Sequence, residues 1–186
     1  MDSVAITDHG AMYGVIDFYK EAKKQGIRPI IGCEVYLAPG SRHERAEVDG
    51  VRYYHLILLA ENEMGYRNLV RLVYRANIEG YYYKPRVDKE LLREHHEGII
   101  ALSACLAGEI PQMALRGDME QLGTLVQEYI DIFGRDCFFL EIQDHGLEEE
   151  KTVNRILRTL SEQYRVGLVA TNDIHYVYAQ DSEFHD

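Results

Sequence analysis

The sequence has no tryptophan, four prolines and three cysteines, and no basic stretch followed by an apolar run near its start. Cys33, Cys105 and Cys137 are too few and too widely spaced for a disulfide framework, so each reads as a small core residue or a ligand. No apolar run approaches the ~18 residues needed to cross a bilayer, and a leader peptide is not discernible, which sets the expectation of a soluble, cytoplasmic protein. Basic residues are also scarce: 20 Lys and Arg stand against 31 Asp and Glu, for a formal charge of -11. Such a surface repels a phosphate backbone unless cations or a local basic patch intervene.

What is present suits one compact soluble domain: 186 residues, 46% hydrophobic and 27% charged. Short β-rich runs alternate with amphipathic helices. Strands are expected over Ser3 to Thr7, Arg28 to Leu37, Tyr53 to Ala60, Ile99 to Ser103, Phe138 to Ile142 and Gly167 to Thr171. Helices are expected from Met12 to Gln25, around Leu69, from Asp88 to His95, through Met119 to Phe133 as part of one long helical stretch, and from Val153 to Tyr164. Repeated β-then-α units with nearly continuous apolar strands imply an α/β fold, a parallel sheet covered by helices that is either open or closed as a barrel. The barrel is favoured on chemical grounds. Thr7, Cys33, Ser103 and Thr171 fall near strand ends and are each followed by metal-ligand types, which barrels collect on one rim. The charged loop from Pro39 to Arg52 is expected to be mobile.

Asp173 and His175 alternate around Ile174 and share one side if the chain there is extended. His9 follows Asp8 at a strand-to-helix junction, where the plainer alternative makes Asp8 an N-cap and His9 a surface residue. Glu34 lies in the apolar run Ile30 to Tyr36, so its carboxylate must be paired, protonated or metal-bound. His55, in the run Tyr53 to Leu59, has a hydrogen-bonded core imidazole as its ordinary reading, and Cys105 a buried small hydrophobe. Together these places supply two carboxylates, three imidazoles and a thiol. That mixture suits zinc, or a centre with iron or manganese, better than magnesium or calcium. A multinuclear centre holding hydroxide points to phosphoester hydrolysis.

Asp8, Asp144 and His145 read as supporting or substrate-facing residues, and His95 and His96 as solvated. His43 and His185 read as exposed loop residues. In the run Tyr81 to Arg86, the tyrosines could stack a base while Lys84 and Arg86 grip a phosphate, although aromatic packing beside a turn also accounts for it.

The stretches AITDHG, IIGCEVYLAPGSR, YYHLILLAENEMGYRNLVRLV, YYYKPRVDKELL, GIIALSACLAGEIP, LEIQDHG and VATNDIHY resemble the polymerase and histidinol phosphatase (PHP) domain family. The form they resemble is the one carried by the catalytic subunit of bacterial C-family replicative DNA polymerases, and the likeness spans essentially the whole chain. It implies a distorted parallel (β/α) barrel whose rim holds a divalent metal cluster, zinc foremost, ligated by His9, Glu34, His55, Cys105, Asp173 and His175. It also implies that the family's opening strand, with its His-x-His pair, lies before Met1, and that the domain is cut at both ends with the polymerase palm, thumb and fingers absent. For activity it implies a metal-dependent 3'-5' exonuclease within a DNA-synthesising parent. The parent would work with primer-template DNA, a proofreading subunit and a sliding clamp. A non-catalytic docking platform and a free-standing phosphatase acting on a small phosphate ester are the alternatives.

Overall fold

In the computed structural model, residues 1–184 are described, without the side chain of Phe184; His185 lies outside them. Seven strands and six helices follow one another as β1 (Ser3–Ile6), α1 (Val15–Lys24), β2 (Arg28–Leu37), β3 (Tyr54–Ala60), α2 (Glu63–Glu79), β4 (Arg86–Val87), α3 (Lys89–Glu94), β5 (Ile99–Leu102), α4 (Glu109–Arg116), α5 (Met119–Phe133), β6 (Phe138–Ile142), α6 (Glu148–Tyr164) and β7 (Gly167–Ala170). The sheet runs β1-β2-β3-β5-β6-β7, with β4 beside the end of β2, and curls into a half-barrel edged by β1 and β7. The pairs β1/β2, β5/β6 and β6/β7 are parallel as expected, and the unexpected short β4 also pairs parallel with β2. β3 runs against both neighbours, β2 and β5. The segment 38–53 between β2 and β3 contains no crossover helix to return the chain to the same end of the sheet, so the two strands pair antiparallel.

Alternation along the strands separates two apolar layers. Cys33, Val35, Leu37, Leu56, Leu58, Ala101, Phe138 and Leu140 face the helices and pack with Leu69, Leu72, Val126 and Leu157. Ile57 and Leu102, packed with Leu59, Ile100, Phe139 and Val169, line the concave side. Burying each large aliphatic side chain on the helical side contributes roughly 1.5–3 kcal/mol.

Helix starts follow local chemistry. Asn62 accepts the Gly65 N–H at 3.0 Å, Asp88 the Leu91 N–H at 2.9 Å and Asp118 the Gln121 N–H at 3.0 Å. The single helical stretch expected before β6 is two helices, because Gly117 turns left-handed at φ 82° and Asp118 caps a new start. Asp8 caps nothing: α1 begins later than expected, after Gly14, with no side-chain cap. The loop after β2 is also better held than its charge suggests. Arg42 is only 4% exposed, and its guanidinium bonds Asp88 and Glu79.

Candidate metal centre

The concave end of β2 gathers the centre. Cys33 points into the helical core, where its thiol donates to the carbonyls of Asp8 and Ala11, so its neighbour Glu34 points the other way. The Glu34 N–H donates to the Asp8 carbonyl at 3.1 Å, and the Gly10 N–H donates back to the Glu34 carbonyl at 2.8 Å. This pair of bonds sets His9 beside Glu34. Gly10 has φ 63°, and a Cβ there would stand 2.9 Å from the Tyr36 ring, so the turn requires glycine. On β3, His55 sits opposite Tyr36, and its N–H takes the Ala107 carbonyl at 3.0 Å, drawing the loop after β5 inward.

Three donor atoms converge. His9 Nε2 lies 3.1 Å from Glu34 Oε1, His55 Nδ1 lies against the same oxygen, and all three fall within 4.8 Å of one another. Glu34 is 3% exposed, and the partners at its buried Oε1 are the two imidazole nitrogens. A buried carboxylate needs a positive partner, which a protonated His9 supplies in metal-free protein and which a divalent cation among these nitrogen and oxygen donors would supply in its place. The residues therefore fit a metal. Cys105 Sγ is 3.8 Å from His55 Nδ1, and the His175 ring centroid is 5.4 Å from that of His9. Asp173 is close enough to raise the His9 pKa electrostatically. It has φ 46°, so it is not in an extended strand. Strand alternation is thus not what brings Asp173 and His175 together. The His175 Nδ1 lies 2.8 Å from the Asp173 carbonyl; an Nδ1–H donated there leaves the lone pair on Nε2.

Burial pushes the Glu34 carboxyl up, but the adjacent His55 and His9 rings more than offset it and bring it down to about 2. Glu34 is the main cause of the raised His9 pKa. Burial lifts the Cys105 thiol to about 11, so a cation is needed to hold it as thiolate near neutrality. In metal-free protein the depressed Glu34 pKa stabilises the fold fully above its ordinary value of 4.5, and that contribution disappears as pH falls through about 2. The His9 contribution has the opposite sign: it is complete below 6.5 and is lost as pH rises through the raised value. Urea midpoints should therefore fall more steeply between pH 4.5 and about 2 in the wild type than in Glu34→Gln; equal slopes would refute this assignment.

Other expected residues separate by burial. Lys84 is exposed at the rim, its Nζ 5.5 Å from the centroid of Tyr36, whose ring stacks on His9. Arg86 does not face a substrate. It is 1% exposed, and its guanidinium donates to the carbonyls of Gly80, Arg52, Arg42 and Glu44. Asp8 and Asp144 are exposed, and Asp144 Oδ1 accepts the Gly146 N–H at 3.2 Å within its own turn. The His145 ring lies between Glu150 and the Asn172 carbonyl, and its raised pKa follows first from that carbonyl and then from Glu150. His43 and His96 are exposed, as expected; His95 is partly buried.

Sequence reasoning missed Glu141. It projects from β6 to the concave side, with Oε1 accepting from Thr171 Oγ1 and from Gln143 Nε2 at 3.0 Å, and with Oε2 buried and without a hydrogen bond. Burial raises its pKa against the lowering by Thr171 and Gln143, and Asp173 and Glu34 raise it further. A carboxylate inside the apolar run Phe138 to Ile142 is the same signal that singled out Glu34.

The family model for the PHP domain matches residues 1–145. The chain is 50% identical over 186 residues to DNA polymerase III subunit alpha of Treponema pallidum, with all of the chain and 16% of the relative aligned. It is 49% identical to that of Thermus aquaticus, with 99% of the chain and 15% of the relative aligned. The chain thus spans about one sixth of the length of these relatives. Among solved structures, a protein of Bifidobacterium adolescentis classed as a metal-dependent phosphoesterase matches at TM-score 0.57 and 14% identity, over 95% of this chain and 78% of that one. An amidohydrolase of Chromobacterium violaceum matches at TM-score 0.59 and 13% identity, over 94% and 77%. At such identities these two share the fold. No helix among the described residues is long and apolar enough to cross a membrane.

Proposed function

Because the chain belongs to the PHP domain family, we propose that it is the metal-dependent phosphoesterase portion of a bacterial DNA polymerase III alpha subunit, hydrolysing phosphodiester bonds at a DNA 3' end. The observation that carries this reading is the buried Glu34 oxygen facing two imidazole nitrogens. His9, Glu34 and His55 would hold a divalent ion, zinc foremost with manganese or iron as alternatives, and Cys105, Asp173 and His175 would complete a cluster. Bound metal supplies a nucleophile near neutral pH and a clamp on phosphoryl oxygens. The chain's own contribution is position and charge. Glu34 holds the two rings together, Tyr36 walls the His9 side, and Lys84 offers a cation at the rim of a chain whose net charge is -11. A phosphate approaching beside Lys84 would meet a positive charge on an otherwise acidic chain. In the full-length parent, primer-template DNA, a proofreading subunit and a sliding clamp are the partners this placement implies.

A second reading, a non-catalytic platform docking a proofreading subunit, is favoured by the outer face of α2, where Val70, Tyr74 and Ile78 are exposed at helical spacing. The free-standing phosphatase is set aside, because the relatives at about half identity over the whole chain are polymerase subunits. The two remaining readings separate in full-length protein. Zinc-loaded wild type should release 3' nucleotides, chelation should stop it, and Asp173→Ala should lower hydrolysis about 100-fold or more while sparing primer extension. Wild type that retains zinc, releases no nucleotide and binds a proofreading subunit would establish the platform instead.

A further inference from the structure

The turn after β6 and the segment after β7 are joined by one side chain. Gly146, at φ 86°, turns the chain into α6, and from the first turn of that helix Glu150 folds back, 4% exposed. Its Oε2 accepts the backbone N–H of His145 at 2.7 Å and of Leu147 at 3.4 Å, and its Oε1 meets His145 Nδ1 at 2.6 Å. Asn154 on the next turn of the helix donates to the Gln143 carbonyl at 2.7 Å. The imidazole is therefore mounted on a fixed anchor. Its opposite edge, Nε2, lies 2.9 Å from the carbonyl oxygen of Asn172.

That carbonyl belongs to the peptide unit whose nitrogen is the amide of Asp173. Because the peptide is planar, fixing the carbonyl direction constrains φ at Asp173. Asp173 has φ 46°, a left-handed conformation that strains a non-glycine residue and persists only where its surroundings determine it. The ladder between β6 and β7 stops short of this point: its last bonds are Thr171 N–H to the Ile142 carbonyl and the Thr171 hydroxyl to Glu141. One residue later the His145 ring takes hold, and Asp173 and His175 follow.

We infer that His145 is a positioning residue, which, braced by Glu150, clamps the Asn172 peptide and so aims Asp173 and His175 at the centre formed by His9, Glu34 and His55. It is not one of the ligands proposed for that centre. It acts on the backbone that carries two of the donors, as outer partners of metal ligands do when they fix a ligand's direction. The inference rests on the metal-centre reading for its consequence and on geometry alone for the clamp.

The experiment uses the full-length protein that contains this chain, with His145→Ala, His145→Gln and Glu150→Gln variants and two readouts. Backbone amide exchange, followed by mass spectrometry on metal-free protein, should accelerate about tenfold or more in the peptide covering residues 171–178 of His145→Ala, while β2, β3 and α5 exchange as in wild type. Zinc affinity, measured by chelator competition, should fall about 10- to 100-fold. His145→Gln keeps a side-chain donor for the Asn172 carbonyl and should recover part of both effects. Glu150→Gln, which leaves the ring but weakens its brace, should show both effects more mildly. Unchanged exchange over 171–178 in His145→Ala would overturn the clamp, as would acceleration spread evenly over the sheet. Wild type that binds no zinc would instead fail the metal-centre reading and leave the exchange result to judge the clamp.

Discussion

Glu34→Gln is expected to lower zinc affinity at least about 100-fold and to abolish phosphodiester hydrolysis without changing the fold. Glutamine keeps the shape and one acceptor oxygen but removes the negative charge that faces His9 and His55. Partners that merely orient a metal ligand are worth 10–100-fold in affinity, so loss of a charged ligand should reach or exceed the top of that range. The neighbours of that buried oxygen are the two imidazole nitrogens, and neither can supply a negative charge in its place. Chelator competition measures the affinity, and circular dichroism at equal concentration checks the fold. Zinc affinity within about threefold of wild type would remove Glu34 from the centre, because a drop that small lies below even the effect of losing an outer partner.

Arg86→Met should destabilise the fold severely, by roughly 3–5 kcal/mol. The guanidinium donates to the Gly80 carbonyl at 3.1 Å, to Arg52 at 3.2 Å, to Arg42 at 3.3 Å and to Glu44 at 2.7 Å. Methionine fills similar volume but supplies no donor, and each carbonyl left buried without a partner costs about 1–3 kcal/mol, partly relieved where water reaches it. Domains of this size are stable by only about 5–15 kcal/mol, so the loss is a large share of the total. Arg86→Lys should recover a minor part, because an ammonium cannot span four separated carbonyls. Denaturant midpoints for the three proteins give the comparison. A Met variant within about 1 kcal/mol of wild type would show that the loop after β2 is held by Arg42 and Asp88 without it.

Much of this was legible along the chain, and the failures share a cause. β2 is readable to its end residues, because Ile30 to Leu37 is apolar and bounded by charge and by proline and glycine. α3 is readable because Asp88 caps it. His9, Glu34 and His55 stand out as ligand types within or beside apolar strands, and the structure gathers all three. What could not be read depends on partners far away in sequence. Arg86 looks like part of a basic, aromatic surface until its carbonyl partners at positions 42 and 44 are known. The direction of β3 is hidden because side-chain alternation is the same whichever way a strand runs. β4, at two residues, is too short to show a period. Glu141 is different, since its signal, a carboxylate inside the apolar run of β6, lies in the sequence itself.

Cys33 and Glu34 are adjacent on one strand yet belong to opposite worlds, the thiol sealed beneath helices and the carboxylate facing the mouth. Their pairing opposite Leu58 and Ile57 decides which is which. A slip of β2 by a single residue would drive the acid into the oily layer and turn the thiol outward, and every later residue of the strand would invert with it. Only the correctly threaded sheet presents an acid between two imidazoles, so an ion bound there would reward that alignment and penalise its near neighbours.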